Sequence, residues 1–165
     1  MVQVIFGWGY DGARWNPDNS LGQFTTGPIG LTSLLATRLG LTTPDVPHVQ
    51  RIAAYRRVLQ AHLEALENDT QRPWFAQSFA KDPWATARQV LAWRDELVGA
   101  GWRPDEHHDA SMPPRLATLA RVERALDQEP TWPAGNADIF RDVAEELQWL
   151  VTAQLPFQEI GRAHV

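Results

Sequence analysis

The stretch Asp82-Pro83-Trp84-Ala85-Thr86-Ala87-Arg88-Gln89-Val90-Leu91-Ala92-Trp93-Arg94-Asp95-Glu96-Leu97-Val98-Gly99 decides the fold class. Asp82 is a natural N-cap, and proline at the next position costs nothing because the first helical N–H has no intrahelical partner. From there Ala87, Val90, Leu91, Leu97 and Val98 recur at helical spacing, with Trp93 extending the face, and Gly99 and Gly101 supply the stop. A segment that starts, repeats and stops by helix rules predicts a helix.

Working outward, the same grammar repeats. Upstream, residues 47–67 form the longest expected helix, with Ile52, Tyr55, Leu59, Leu63 and Leu66 on one face and Arg51, Gln60 and Glu64 off it. Pro28 opens an earlier helix striped by Leu31, Leu34, Leu35 and Leu39 and ended by Gly40. Downstream, Leu116, Leu119, Ala120 and Leu126 trace a fourth helix. Asn136 is expected to cap a fifth, which buries Ile139, Phe140, Val143, Leu147, Leu150 and Val151. Residues 2–6 alternate as a β-strand does. The expected fold is therefore predominantly α, with one N-terminal strand and five helices. That strand has no partner in the reading and needs strands from outside this sequence.

The chain has 165 residues, of which 44% are hydrophobic, with eight tryptophans and no cysteine. Disulfides and thiolate metal sites are excluded. The first residues lack the basic and long apolar regions of a signal peptide, and no run approaches a membrane span, so a cytoplasmic protein without membrane contact is expected. A net charge of −5 argues against a dedicated nucleic-acid-binding module, though not against a scaffold within a larger enzyme. Among the basic residues only Lys81 is lysine. The final Glu159-Ile160-Gly161-Arg162-Ala163-His164-Val165 reads as a translated sequencing adapter. One domain is accordingly expected over 1–158, truncated there, with an artefact over 159–165.

Candidate chemistry is sparse. Gly7-Trp8-Gly9-Tyr10-Asp11-Gly12 is a literal G-x-G-x-x-G after a strand. No helix is expected to open at Gly12, however, and no acid lies between Asp18 and Asp45 to hold a ribose. A P-loop needs lysine and Ser/Thr in the strand-to-helix turn, and Gly27-Pro28-Ile29-Gly30 occupies that place without them. His107-His108-Asp109 is the one histidine–carboxylate cluster, in a polar, proline-flanked loop. Glu145-Glu146 and Asp138-Asp142 read as a solvated helix face. Arg51, Arg56 and Arg57 form a local basic patch able to touch phosphate, and are the candidate nucleic-acid contacts. No catalytic, cofactor-binding or metal residue emerges.

Four blocks carry a family resemblance: residues 6–15, residues 27–41, Arg51-Ile52-Ala53-Ala54-Tyr55, and residues 78–102 around Asp82–Arg88. In this order they resemble the N-terminus of bacterial PD-(D/E)XK nuclease family proteins of the AddB/RecB-like helicase–nuclease type. The resemblance spans most of residues 2–102. It implies an incomplete piece of an α/β, helicase-like domain with a degenerate P-loop, at the head of a longer protein that processes DNA in recombination and double-strand-break repair. The exonuclease centre and its Mg would belong to a distant domain, so none of its residues maps here. The implied partners are the remainder of the parent chain, DNA through the parent, and a helicase–nuclease partner subunit. The alternative is a helical protein–protein interaction module unrelated to DNA.

Overall fold

The computed structural model describes residues 3–11, 22–41, 46–66, 72–104, 112–126 and 132–153. The protein is mostly helical with a small two-stranded parallel sheet. Two compact units are distinguished, Met1–Thr43 with Ile139–Val165, and Pro44–Asp138.

In the first unit, β1 (Gln3–Phe6) pairs in parallel with β2 (Gln23–Thr26), in the register Gln3↔Gln23 to Phe6↔Thr26. The expected lone strand therefore has its partner within the chain. Residues 7–22 provide the dozen or more residues that a parallel crossover requires. β2 runs through Gly27 into α1 (Pro28–Leu39). Gly40 ends that helix as expected: its φ of +74° lets Leu41 N–H reach the Ala36 carbonyl at 2.8 Å. Ala36 and Leu39 pack with Val143 and Leu150 of α6 (Asn136–Thr152). Phe140 and Val151, expected to be buried, are exposed.

The second unit is built on α2 (His48–Ala65), α3 (Ala76–Lys81), α4 (Pro83–Gly99) and α5 (Pro114–Leu126). Its core joins Ile52, Tyr55 and Leu59 of α2 to Ala87, Val90 and Leu91 of α4 and Leu119, Val122 and Leu126 of α5. Phe79 of the short α3 and Phe75 at its N-cap close it, where no helix is expected from the sequence. Six residues are too few to show a helical period, and Phe79 is the one apolar anchor inside α3. At the deciding stretch Asp82 caps α4, accepting from Trp84 N–H at 3.1 Å and Ala85 N–H at 2.9 Å. Gly99 stays helical, and the chain turns at Gly101 instead. Trp93 lies half-exposed at the margin of the α4 face, and its interior position is taken by Arg94.

These contacts set a scale. Leu59→Ala, deep in the α2–α4–α5 core, is expected to cost about 2–5 kcal/mol. Asp82→Ala, which removes a cap and no core volume, is expected to cost about 1 kcal/mol. Urea denaturation followed by far-UV circular dichroism checks both, and equal losses would contradict this account of the core.

Candidate functional site

Among the described residues, two polar arrangements stand out, one in each unit. The first lies where β2 enters α1. A helix start leaves its first N–H groups without intrahelical partners, and Gly27 has no side chain to cap them. Asp11 fills the gap from the turn that follows β1: one carboxylate oxygen accepts from Ile29 N–H at 2.6 Å and the other from Gly30 N–H at 3.0 Å. A β-carbon on Gly27 would fall 2.5 Å from the Asp11 carboxyl carbon, so only glycine lets the carboxylate seat there. The helix dipole favours an anion at this position. Gly27-Pro28-Ile29-Gly30, the topological place of a phosphate loop, thus carries its own carboxylate. Asp11 belongs to the literal G-x-G-x-x-G, whose Trp8 is exposed and stacks edge-on with Phe6.

The second arrangement is buried in the other unit. Arg94, on α4, is 1% exposed and grips Glu123 of α5, itself 1% exposed, through Nε at 3.0 Å and through Nη2. Arg94 Nη1 reaches Asp138 Oδ1 at 2.5 Å and Asp95 Oδ1 at 3.1 Å. Arg51, on α2, donates to Asp95 at 2.7 and 3.0 Å, to Asp138 Oδ2 at 3.1 Å and to the Pro133 carbonyl at 3.1 Å. Asp138 Oδ2 also accepts from Gly135 N–H at 2.7 Å, so Asp138, not Asn136, satisfies the chain entering α6. Trp132 lies against both guanidiniums, 5.3 Å from Arg51 and 5.6 Å from Arg94.

The electrostatics follow from burial. Desolvation works against the Arg94 charge, but Glu123 and Asp138 outweigh it and raise its pKa further. Burial also pushes Asp95 up, yet the hydrogen bonds and charges of Arg51 and then Arg94 prevail and hold it below the ordinary carboxylate value. Tyr55 is raised, first by burial and then by Glu123. Its hydroxyl has no hydrogen-bond partner.

The candidate nucleic-acid contacts are therefore not a common patch. Arg51 is 5% exposed and committed to two carboxylates and a carbonyl. Arg56 lies over the Trp84 ring at 4.9 Å, and Arg57 is exposed. Asp138, read as a solvated acid, is buried at 1% exposure because two arginines face it. The missed residues carry a signal in the sequence. Arg94 sits four residues after Val90 and four before Val98, and Glu123 lies between Leu119 and Leu126, all on core-facing rows. His107-His108-Asp109 and residues 154–165 lie outside the described residues. Among the described residues, no three His, Asp or Glu side chains are grouped to hold a metal ion. None of the helices among them is long and apolar enough to cross a membrane. No family model, curated protein or solved structure matches the chain.

Removing one partner of a buried ion pair strands the other. Glu123→Ala is expected to lower the unfolding free energy by about 3–5 kcal/mol. Tyr55→Phe, which deletes an unpartnered hydroxyl, is expected to be neutral or stabilising by about 1 kcal/mol. Denaturant titration at neutral pH tests both, and a larger loss from Tyr55→Phe than from Glu123→Ala would refute the assignment. Because the folded pKa of Asp95 is depressed, its stabilisation is present above the ordinary carboxylate value of 3.8 and is lost as pH falls through the folded value. Asp95→Asn should flatten the acid limb of a pH–stability curve, and an unchanged acid limb would show that Asp95 does not contribute to it.

Proposed function

We propose that this chain is the N-terminal, non-catalytic part of a DNA-processing nuclease acting in recombination and double-strand-break repair. The observation that supports a non-catalytic role is the Asp11 carboxylate on the α1 N-terminus. Parallel strands that feed a helix through a glycine turn are the local setting of a P-loop, where backbone N–H groups hold phosphates. Here those N–H groups are taken by an aspartate, and a nucleotide phosphate arriving there would meet a negative charge. That suits a degenerate, helicase-like domain retained as a scaffold. The link to DNA is supported by the four sequence blocks and their order. On this reading the Mg-dependent nuclease centre belongs to the longer protein. So do the DNA contact and any helicase–nuclease partner subunit, and the protein works in the cytoplasm.

A second reading, a helical protein–protein interaction module unrelated to DNA, is favoured by one observation. Trp8, Trp149 and Val151 of the first unit are 84%, 56% and 79% exposed. Large exposed aromatic and aliphatic groups are typical anchors of protein interfaces.

Two measurements separate the readings. The uninterrupted protein should show metal-dependent exonuclease activity and carry an Asp…(Asp/Glu)-x-Lys motif, and a long protein lacking both would sink the nuclease proposal. The present chain should bind single-stranded DNA weakly and without sequence preference. With few phosphate contacts, affinity should fall on the order of tenfold between 50 and 200 mM salt. Calorimetry should detect no ATP binding, and micromolar ATP affinity would overturn the role assigned to Asp11.

A further inference from the structure

None of the residues three or four positions from Arg56 on α2, or from Arg88 on α4, is acidic. Helical neighbours at that spacing are the usual partners of a surface cation, so both charges are left to partners from elsewhere. Arg56 takes an aromatic one. Its guanidinium lies over the Trp84 ring at 4.9 Å, and among the described residues it makes no ion pair. Its Nε is shielded from solvent, so the terminal nitrogens are the ones that can reach an incoming group. Trp84, in the first turn of α4, still exposes 47% of its surface. Arg88 is exposed one turn further on, and residues four apart on a helix lie on the same side. The nearest acid in sequence, Asp82, is committed to the α4 cap through Trp84 N–H and Ala85 N–H. A half-open indole thus has one guanidinium laid over it and another a turn away, in a chain of net charge −5.

We propose that Trp84, Arg56 and Arg88 form a contact point for single-stranded DNA, in which one base stacks on the open surface of Trp84 while Arg56 and Arg88 hold the neighbouring phosphates. An indole offers its face to any base, so such stacking is tolerant of sequence. With Arg56 over it the ring is held in one orientation, which lowers the ordering that a bound base would otherwise require. A base stacked and paired within a duplex has no free face to offer, so a single strand is the form that fits. The phosphates on either side of the stacked base carry the charge that two guanidiniums complement. Two phosphate contacts give a single strand a slope of about −1.4 for log K against log salt, or about a sevenfold loss between 50 and 200 mM. That agrees with the weak, salt-dependent binding expected of the chain. The stacking and the charge stand on the geometry of α2 and α4. Naming the strand as DNA rests on the proposed function.

The probe is a short oligothymidine titrated into the full chain at low salt, followed by calorimetry and by the indole N–H resonances. Saturable binding that shifts one indole resonance, the one missing from Trp84→Ala, is expected. Trp84→Ala should weaken binding about tenfold, within the range for one stacked base, and Trp84→Phe, which keeps a ring, should restore most of it. Arg88→Ala should reduce the salt slope by about 0.7, the share of one phosphate contact. Arg38→Ala, which removes an exposed charge from α1, should leave the slope unchanged. Trp8→Ala, which removes the more exposed indole of the first unit, should leave the affinity unchanged. A duplex of the same length should bind in a way that Trp84→Ala does not alter. Circular dichroism checks that each variant folds. Absence of saturable binding up to roughly 1 mM, a weak affinity, would overturn the site. So would oligothymidine binding that Trp84→Ala and Arg88→Ala leave unchanged, or an equal loss from Trp8→Ala, and either result leaves the nuclease reading standing. An uninterrupted protein that lacks exonuclease activity while this chain still binds through Trp84 supports the site and counts against the nuclease reading alone.

Discussion

The second unit depends on one constraint: a guanidinium removed from water must be surrounded by acceptors. Arg94 is the largest fully buried side chain of the unit, and its charge could not remain there unpaired. Glu123 meets it from α5, Asp138 from the first turn of α6 and Asp95 from the next position of its own helix. Arg51 then bridges Asp95 and Asp138 from α2. Replacing such a network by apolar groups of similar size often leaves stability unchanged or improves it, so its presence is weak evidence for a stabilising role. What it does impose is register. Sliding α2, α4 or α5 by one residue would leave at least one buried charge without its partner.

The network also shapes the chain around it. A β-carbon on Gly135 would collide with the Arg51 guanidinium, so the segment approaching α6 passes close enough to lend its Pro133 carbonyl and Gly135 N–H. Trp132 covers both guanidiniums with an aromatic face, where a cation keeps an electrostatic partner without water. The first unit solves a smaller version of the same problem. Its α1 N-terminus needs acceptors, and Asp11 supplies both from a distant turn.

What could be read in the sequence follows from these two kinds of force. The apolar period and the caps announce α1, α2, α4, α5 and α6 to within a few residues, because Asp82, Pro28 and Gly40 act locally. β2 was not legible, since Gln23-Phe24-Thr25-Thr26 is short and polar in composition. Its burial of Thr25 and Thr26 depends on the partner strand and on α1. The Arg51 and Asp138 contacts were misplaced because a charge on a helix reads as solvated unless its partners are known, and they lie 44 to 87 residues away from Arg51.

Net charge is therefore a poor guide to the surface of this protein. Arg51 and Arg94 are withdrawn from the surface, and three acids are paired with them. The exposed charge pattern is set by the residues that remain, and its sign varies from place to place. Over distances longer than about 8–10 Å salt screens the overall excess of acid, while groups lining one cleft still feel each other. At the α1 N-terminus the helix dipole would draw an anion, and Asp11 already answers it. Within one acidic chain, local geometry thus closes an anion position with a side chain of its own.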